Sequence, residues 1–358
     1  MKLSQKISFL LPFGLMLVPA ISAQQRGGQA SCAAPDRVAG FQPEVCRDHT
    51  PHKQLCVPVD RGVALQVLDW GGADKPETMV LLTGYGDNAH VYDQFAFQFT
   101  DYFHVIGITR RGFLPSSQPE EGYDVRTRAR DDIEVLKYLG INKAVFVGHS
   151  LSASELSQLG LEYKSYVSKL VYLDAFDLAR RSVLPELPTV PYQLGRDDRS
   201  IQAFVAATAQ MENSQRPFPS ICPAFSFDAR GRLGDSTTPD FVGPKLFDGI
   251  AEMNNPLVDW ANIDAPRLGI LSVPSVENKL PFYWYLRSDE QAVFDKNWPG
   301  VVRWFADTTE RFKAANPGKP TAVVHLIPEA PHYFFLSDQA TVVRVMREFL
   351  LGTANPGR

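Results

Sequence analysis

A mostly parallel, doubly wound α/β sheet with a helical cap inserted after its sixth strand is the fold this sequence predicts. Three observations carry that prediction. Strand-like and helix-like segments alternate from residue 63 onward, as parallel sheets require. A buried apolar run, Ala144 to Val147, passes directly through Gly148-His149-Ser150 into a helical pattern. The chain is also long enough for a large core, with 358 residues, 44% hydrophobic and 21% charged.

The elements follow in order. Val63 to Trp70, Thr78 to Leu82 and Phe103 to Ile108 are rich in β-branched and aromatic residues and are expected as strands. Thr127 to Leu139 has apolar residues at helical spacing, and Ser152 to Tyr163 is expected as the helix after the Ala144 strand. Val167 to Leu173 is a further strand. Residues 175 to 262 interrupt the alternation with a segment dense in Pro, Phe and Arg, in which Ser200 to Met211 is helix-like. Arg267 to Val273 returns to the sheet, within a second core segment, 263 to 358. Residues 59 to 174 form the first core segment, and residues 24 to 58, rich in Gly, Pro, Gln and Cys, are expected to be an irregular lead-in.

The N-terminus has the order of a secretory signal peptide. Lys2 and Lys6 precede an apolar run from Ile7 to Ile21, interrupted by Pro12 and Pro19, and Ser22-Ala23 offers a cleavage site. The run is shorter than the ~20 residues of a spanning helix, so cleavage and a secreted or periplasmic protein without stable membrane insertion are expected. An oxidising compartment favours two disulfides among Cys32, Cys46, Cys56 and Cys222. Four cysteines allow three pairings. Cys46 with Cys56 is the shortest local pairing, and it leaves Cys32 to tether the N-terminal segment near Cys222. The spacing of these cysteines fits no zinc pattern, so no metal and no cofactor is implied. A net charge of −4 gives no basic footprint, which argues against nucleic acid as a partner.

Ser150 sits where a strand turns sharply into a helix, the setting a nucleophile elbow needs, with small neighbours at Gly148 and Ser152. Three other segments stand in register with it: LLTGYGDNAHVYDQFA from Leu81, HVIGITRRGFLPSSQPEEGYD from His104, and IPEAPHYFF, which carries His332. Together they resemble the α/β-hydrolase superfamily over roughly residues 60 to 175 and 265 to 351. Two departures stand out: Ser152 replaces the usual fifth-position glycine, and Thr83 replaces the histidine common before Gly84.

That resemblance implies Ser150 as nucleophile, His332 as general base and acid, and the backbone N–H groups of Tyr85 and Leu151 as the oxyanion hole. His332 alone follows the final strand in a loop; His149 adjoins the nucleophile, His104 and His325 lie in strands, and His49 and His52 lie in the lead-in. For the triad acid, most relatives use an aspartate after the strand that follows the cap. Only Glu277 stands near there, so Asp174, directly after the Val167 strand as in haloalkane dehalogenases, is preferred, with Asp177 third. His90, Phe218, Phe225, Phe227 and Trp260 are candidates to line the substrate pocket.

The expected function is a secreted serine hydrolase acting on a small-molecule carboxylic ester or lactone through an acyl-enzyme. An aminopeptidase, a carbon–carbon bond hydrolase and a non-catalytic ligand binder on the same fold are the alternatives. Serine at the elbow weighs against dehalogenases and epoxide hydrolases, whose nucleophile is aspartate.

Overall fold

The computed structural model describes Cys32 and residues 43–175, 200–212, 215–253, 258, 260–277, 279–314 and 322–352. Residues 1–23, expected as a signal peptide, and Asp177 lie outside the described residues. Chain order runs β1 (Lys53–Asp60), β2 (Val63–Gly71), β3 (Thr78–Leu82), α1 (Asp93–Ala96), β4 (His104–Ile108), α2 (Val125–Tyr138), β5 (Ala144–His149), α3 (Ala153–Glu162) and β6 (Val167–Leu173). It continues with α4 (Ile201–Glu212), α5 (Phe218–Ile221), β7 (Phe225–Phe227), β8 (Leu233–Ser236), α6 (Val242–Met253), β9 (Arg267–Val273), α7 (Ser288–Lys313), β10 (Ala322–Pro328), α8 (Phe334–Ser337) and α9 (Gln339–Leu351).

Among the described residues, eight strands form one sheet in the order β1-β2-β4-β3-β5-β6-β9-β10. The β1–β2 and β2–β4 pairs are antiparallel, and every later pair is parallel. β3 and β5 are buried along their whole length, because helices cover both faces of the sheet. Period-two alternation divides β5 between two cores. Phe146 packs with Ala129 of α2 and Leu156 of α3, while Val145 and Val147 pack with Phe334 of α8 and Met346 of α9. The edge strand β10 is only half-buried. α2 starts where the Asp124 carboxylate accepts the Thr127 N–H at 2.9 Å. No helix of the described residues is long and apolar enough to cross a membrane.

Two expectations for the lead-in are corrected. Residues 53–60 are a strand, because Leu55, Val57 and Val59 alternate toward the core while the edge position tolerates Pro58. The disulfides are Cys32–Cys56 and Cys46–Cys222, with Cα separations of 5.6 and 5.7 Å. Cys46 and Cys56 are near in sequence but face apart. Cys56 sits on the exposed side of β1, whereas Cys46 is buried beside Ile201 and Ile221 of the segment between β6 and β9. That segment contributes α4, α5, the β7–β8 hairpin and α6, over the carboxyl ends of the strands.

Candidate active site

Ser150 follows β5 with φ 54°, a left-handed conformation that costs a serine energy and persists only where its surroundings impose it. Gly148 is one of those surroundings. A Cβ there would stand 2.7 Å from Cβ of Ser152 and 3.0 Å from Cδ1 of Leu156. After Ser150 a 3₁₀ turn, Ser150–Ser152, leads into α3, so the Leu151 N–H belongs to the first turn of a helix, where backbone donors lack helical acceptors.

The serine at position 152 has a definite structural task. Its fully buried hydroxyl donates to the Thr83 carbonyl at 2.6 Å and accepts from Nη2 of Arg110 at 3.0 Å. Glycine could make neither bond, so the elbow is tied to the loop after β3 by the residue that departs from the common pattern. Arg110 completes the tie. It donates to the carbonyls of Thr83 at 2.7 Å and Gly84 at 2.8 Å, and forms a two-bond pair with Glu155 of α3. In a trans peptide the N–H points opposite to the C=O. With the Gly84 carbonyl turned to Arg110, the Tyr85 N–H faces the other way. Burial alone would lower the Arg110 pKa, but the adjacent Glu155 carboxylate raises it overall, so the guanidinium stays charged.

Asp174 and His332 meet across the ends of β6 and β10. Oδ2 of Asp174 lies 2.6 Å from Nδ1 of His332, and Oδ1 accepts the Ser272 N–H at 3.0 Å. Asp174 itself has φ 43°, a left-handed backbone conformation. Glu277 is exposed and shares no bond with His332. His149 supports the same loop from below: its Nε2 lies 2.9 Å from the His332 carbonyl, and burial holds its pKa far below the usual imidazole range. A carbonyl only accepts, so the neutral ring carries its proton on Nε2.

Ser150 and His332 line one cavity of about 430 Å³, together with Tyr85, Phe113, Phe204, Arg216, Phe225 and Tyr333. Of the residues expected to line the pocket, Phe225 does so. Phe218 and Phe227 pack instead around the Cys46–Cys222 disulfide, and Trp260 is core, bonding Oγ of Ser157 at 3.3 Å beside Phe312. His90 lines a different cavity with Asp48, His49 and Gln66. Sequence reading missed Phe204, Arg110 and a buried hub at Asp87. Asp87 accepts from Tyr333 Oη at 3.0 Å and from Nη1 of Arg216 at 3.1 Å, so the loop after β3, the His332 loop and the inserted segment share one carboxylate. The available signal was the charge itself: Arg110 follows the expected strand Phe103 to Ile108, Glu155 lies in the helix expected after Ser150, and a buried charge requires a partner.

The alpha/beta hydrolase family model matches residues 79–345. The chain belongs to that family. It is similar to a 2-(acetamidomethylene)succinate hydrolase of Mesorhizobium japonicum, 27% identical over 131 residues, or 36% of this chain and 47% of the relative. It is also similar to a bifunctional esterase/perhydrolase of Acinetobacter calcoaceticus, 33% identical over 116 residues, or 32% of this chain and 42% of the relative. The matches thus span less than half the length of these curated relatives. A crystal structure of an E-2-(acetamidomethylene)succinate hydrolase superposes with a TM-score of 0.61 at 19% identity, covering 84% of this chain and all of that one, which is a likeness of fold.

Proposed function

We propose that this family member is an exported serine hydrolase that cleaves a carboxylic ester or lactone through an acyl-enzyme. The observation that carries the proposal is the 2.6 Å Asp174–His332 bond beside a serine held at positive φ in the same cavity. His332 takes the Ser150 proton as Oγ bonds to the acyl carbon, and the Asp174 carboxylate stabilises the resulting imidazolium. Negative charge developing on the acyl oxygen is met by the N–H groups of Tyr85 and Leu151, with Arg110 holding the first in place through Gly84. The imidazolium then gives its proton to the leaving alkoxide; in a lactone that alcohol stays attached to the acyl group. Water, deprotonated by His332, attacks the acyl-enzyme and frees Ser150.

The serine at the elbow, where epoxide hydrolases of this fold carry aspartate, supports an ester over an epoxide substrate. Residues 175 to 262 are proposed as the cap: the described part contributes Phe204, Arg216 and Phe225 to the cavity roof. Two disulfides and the basic-then-apolar N-terminus support export.

Fluorophosphonate labelling of residues 24–358 tests the proposal. Labelling of wild type, absent in Ser150→Ala, is the expected result. Folded wild type that resists probes of several sizes would remove the catalytic reading and leave ligand capture.

A further inference from the structure

A second group of reactive side chains lies outside this site, against the cavity that His90 lines. Asp48 and His52 come from the stretch before β1. His90 comes from the 3₁₀ turn Ala89–Tyr92, and Asp93 starts α1. One ligand-capable atom of each lies within 4.8 Å of the other three. Oδ2 of Asp93 is 3.0 Å and Oδ2 of Asp48 is 3.8 Å from Nδ1 of His90, and Nε2 of His52 is 3.1 Å from Oδ2 of Asp48. Zinc bonds of ~2.0 Å in a tetrahedron put neighbouring ligand atoms roughly 3.3 Å apart.

The surroundings also have the form of a metal site. Each carboxylate has its Oδ1 held by an outside donor, the Thr50 N–H on Asp48 at 2.8 Å and Nε1–H of Trp70 on Asp93 at 3.1 Å. That leaves both Oδ2 atoms turned inward, as outer donors orient metal-binding carboxylates. Among the described ion pairs, neither Asp48 nor Asp93 meets a lysine or arginine, although the side chains are only 23% and 3% exposed. Two carboxylates converging at low exposure call for positive charge between them. The His52 ring is 6% exposed and sets Nε2 3.1 Å from Oδ2 of Asp48, so that nitrogen is the one available to a metal.

We propose that Asp48, His52, His90 and Asp93 bind a zinc ion. Two imidazoles and two carboxylates fit tetrahedral zinc; calcium and magnesium take six or more oxygens. Four protein ligands make a closed, structural site, which ties the lead-in to the turn that follows the loop carrying Tyr85. Asp48 and His52 form one pair at i,i+4 and His90 and Asp93 another at i,i+3, distant from each other along the chain; the pairing of β1 with β2 and the Cys46–Cys222 disulfide bring the pairs together.

The test uses the full mature chain with disulfides intact, stripped with chelator, reloaded with zinc and dialysed. Wild type is expected to retain a single zinc, and cobalt in its place to give the strong visible absorption of a tetrahedral site. Retention is expected to fall to background in His52→Ala and in Asp48→Asn, both checked for fold by circular dichroism, and to persist in a control at exposed Asp289, Asp289→Asn. Chelator should lower the melting temperature of wild type and leave that of His52→Ala unmoved. Folded wild type that retains neither metal, or variants that retain as much as wild type, would overturn the site. Ser150 labelling is read separately, so loss of zinc binding and loss of the hydrolase reading are distinguishable.

Discussion

The ends of β6 and β9 lie side by side in the sheet, and each is followed by a carboxylate, yet only one of them reaches the histidine. After β6 the chain turns at once: Asp174 takes φ 43° and its side chain, 10% exposed, bonds His332. After β9 the chain runs on through Pro274 and Ser275 to Glu277, which is exposed. The end of β9 instead contributes support. The Ser272 N–H holds the second oxygen of Asp174, and its hydroxyl donates to the Ala330 carbonyl in the His332 loop at 2.7 Å. The end of β9 thus buttresses the carboxylate placed one strand away and the loop that carries His332. Which strand supplies a charge matters less than where adjacent strand ends converge.

Exchange of the two carboxylates gives the largest expected effect. Asp174→Asn keeps the shape and the Ser272 bond but removes the acceptor for Nδ1–H, so turnover should fall about 10⁴-fold with KM little changed. Glu277→Gln should leave turnover unaltered. The reverse pattern would move the acid to β9 and undo the comparison. Steady-state kinetics on whichever ester the labelled enzyme accepts would decide it.

A subtler exchange sharpens the same point. Asp174→Glu retains the charge but lengthens the arm by one methylene from a left-handed backbone that aspartate tolerates better than most residues. Displacement of the carboxylate by about 1 Å should cost on the order of 10²-fold in kcat. A loss equal to that of Asp174→Asn would mean that the geometry at β6 tolerates no adjustment. Full activity would mean that charge alone suffices.

Local pattern accounts for what the sequence made legible. Apolar runs fill most of β3 and β5 and the second half of β6, from Leu170, because both faces are covered there, and Ser150 was readable because strand, turn and helix are consecutive. His332 was readable as the histidine beyond the last strand. Asp174 was preferred to Glu277 on resemblance alone, because which of the two carboxylates reaches His332 depends on contacts between strand ends that are tertiary. β1 was hidden by Pro58 and the lead-in's composition, and the disulfide pairing by the outward face of Cys56. The Arg110–Glu155 pair, the Asp87 hub and the Asp48–His52–His90–Asp93 cluster all join residues from different elements, which no spacing along the chain encodes.

The smallest expected effect isolates the buttress. Ser272→Ala preserves the N–H bond to Asp174, since that donor is backbone, and deletes only the hydroxyl bond to Ala330. One such bond contributes about 1 kcal/mol to stability. The Ala330 loop carries His332 two residues later, and its other described backbone ties are long, with the Ala330 N–H donating to Ile327 at 3.5 Å and the Glu329 N–H to Val273 at 3.2 Å. Loosening should therefore reach the histidine: kcat falls several-fold while KM holds, and Ser272→Thr, which keeps a hydroxyl, restores it. A Ser272→Ala enzyme that loses stability but no kcat would confine the role of β9 to the backbone donor.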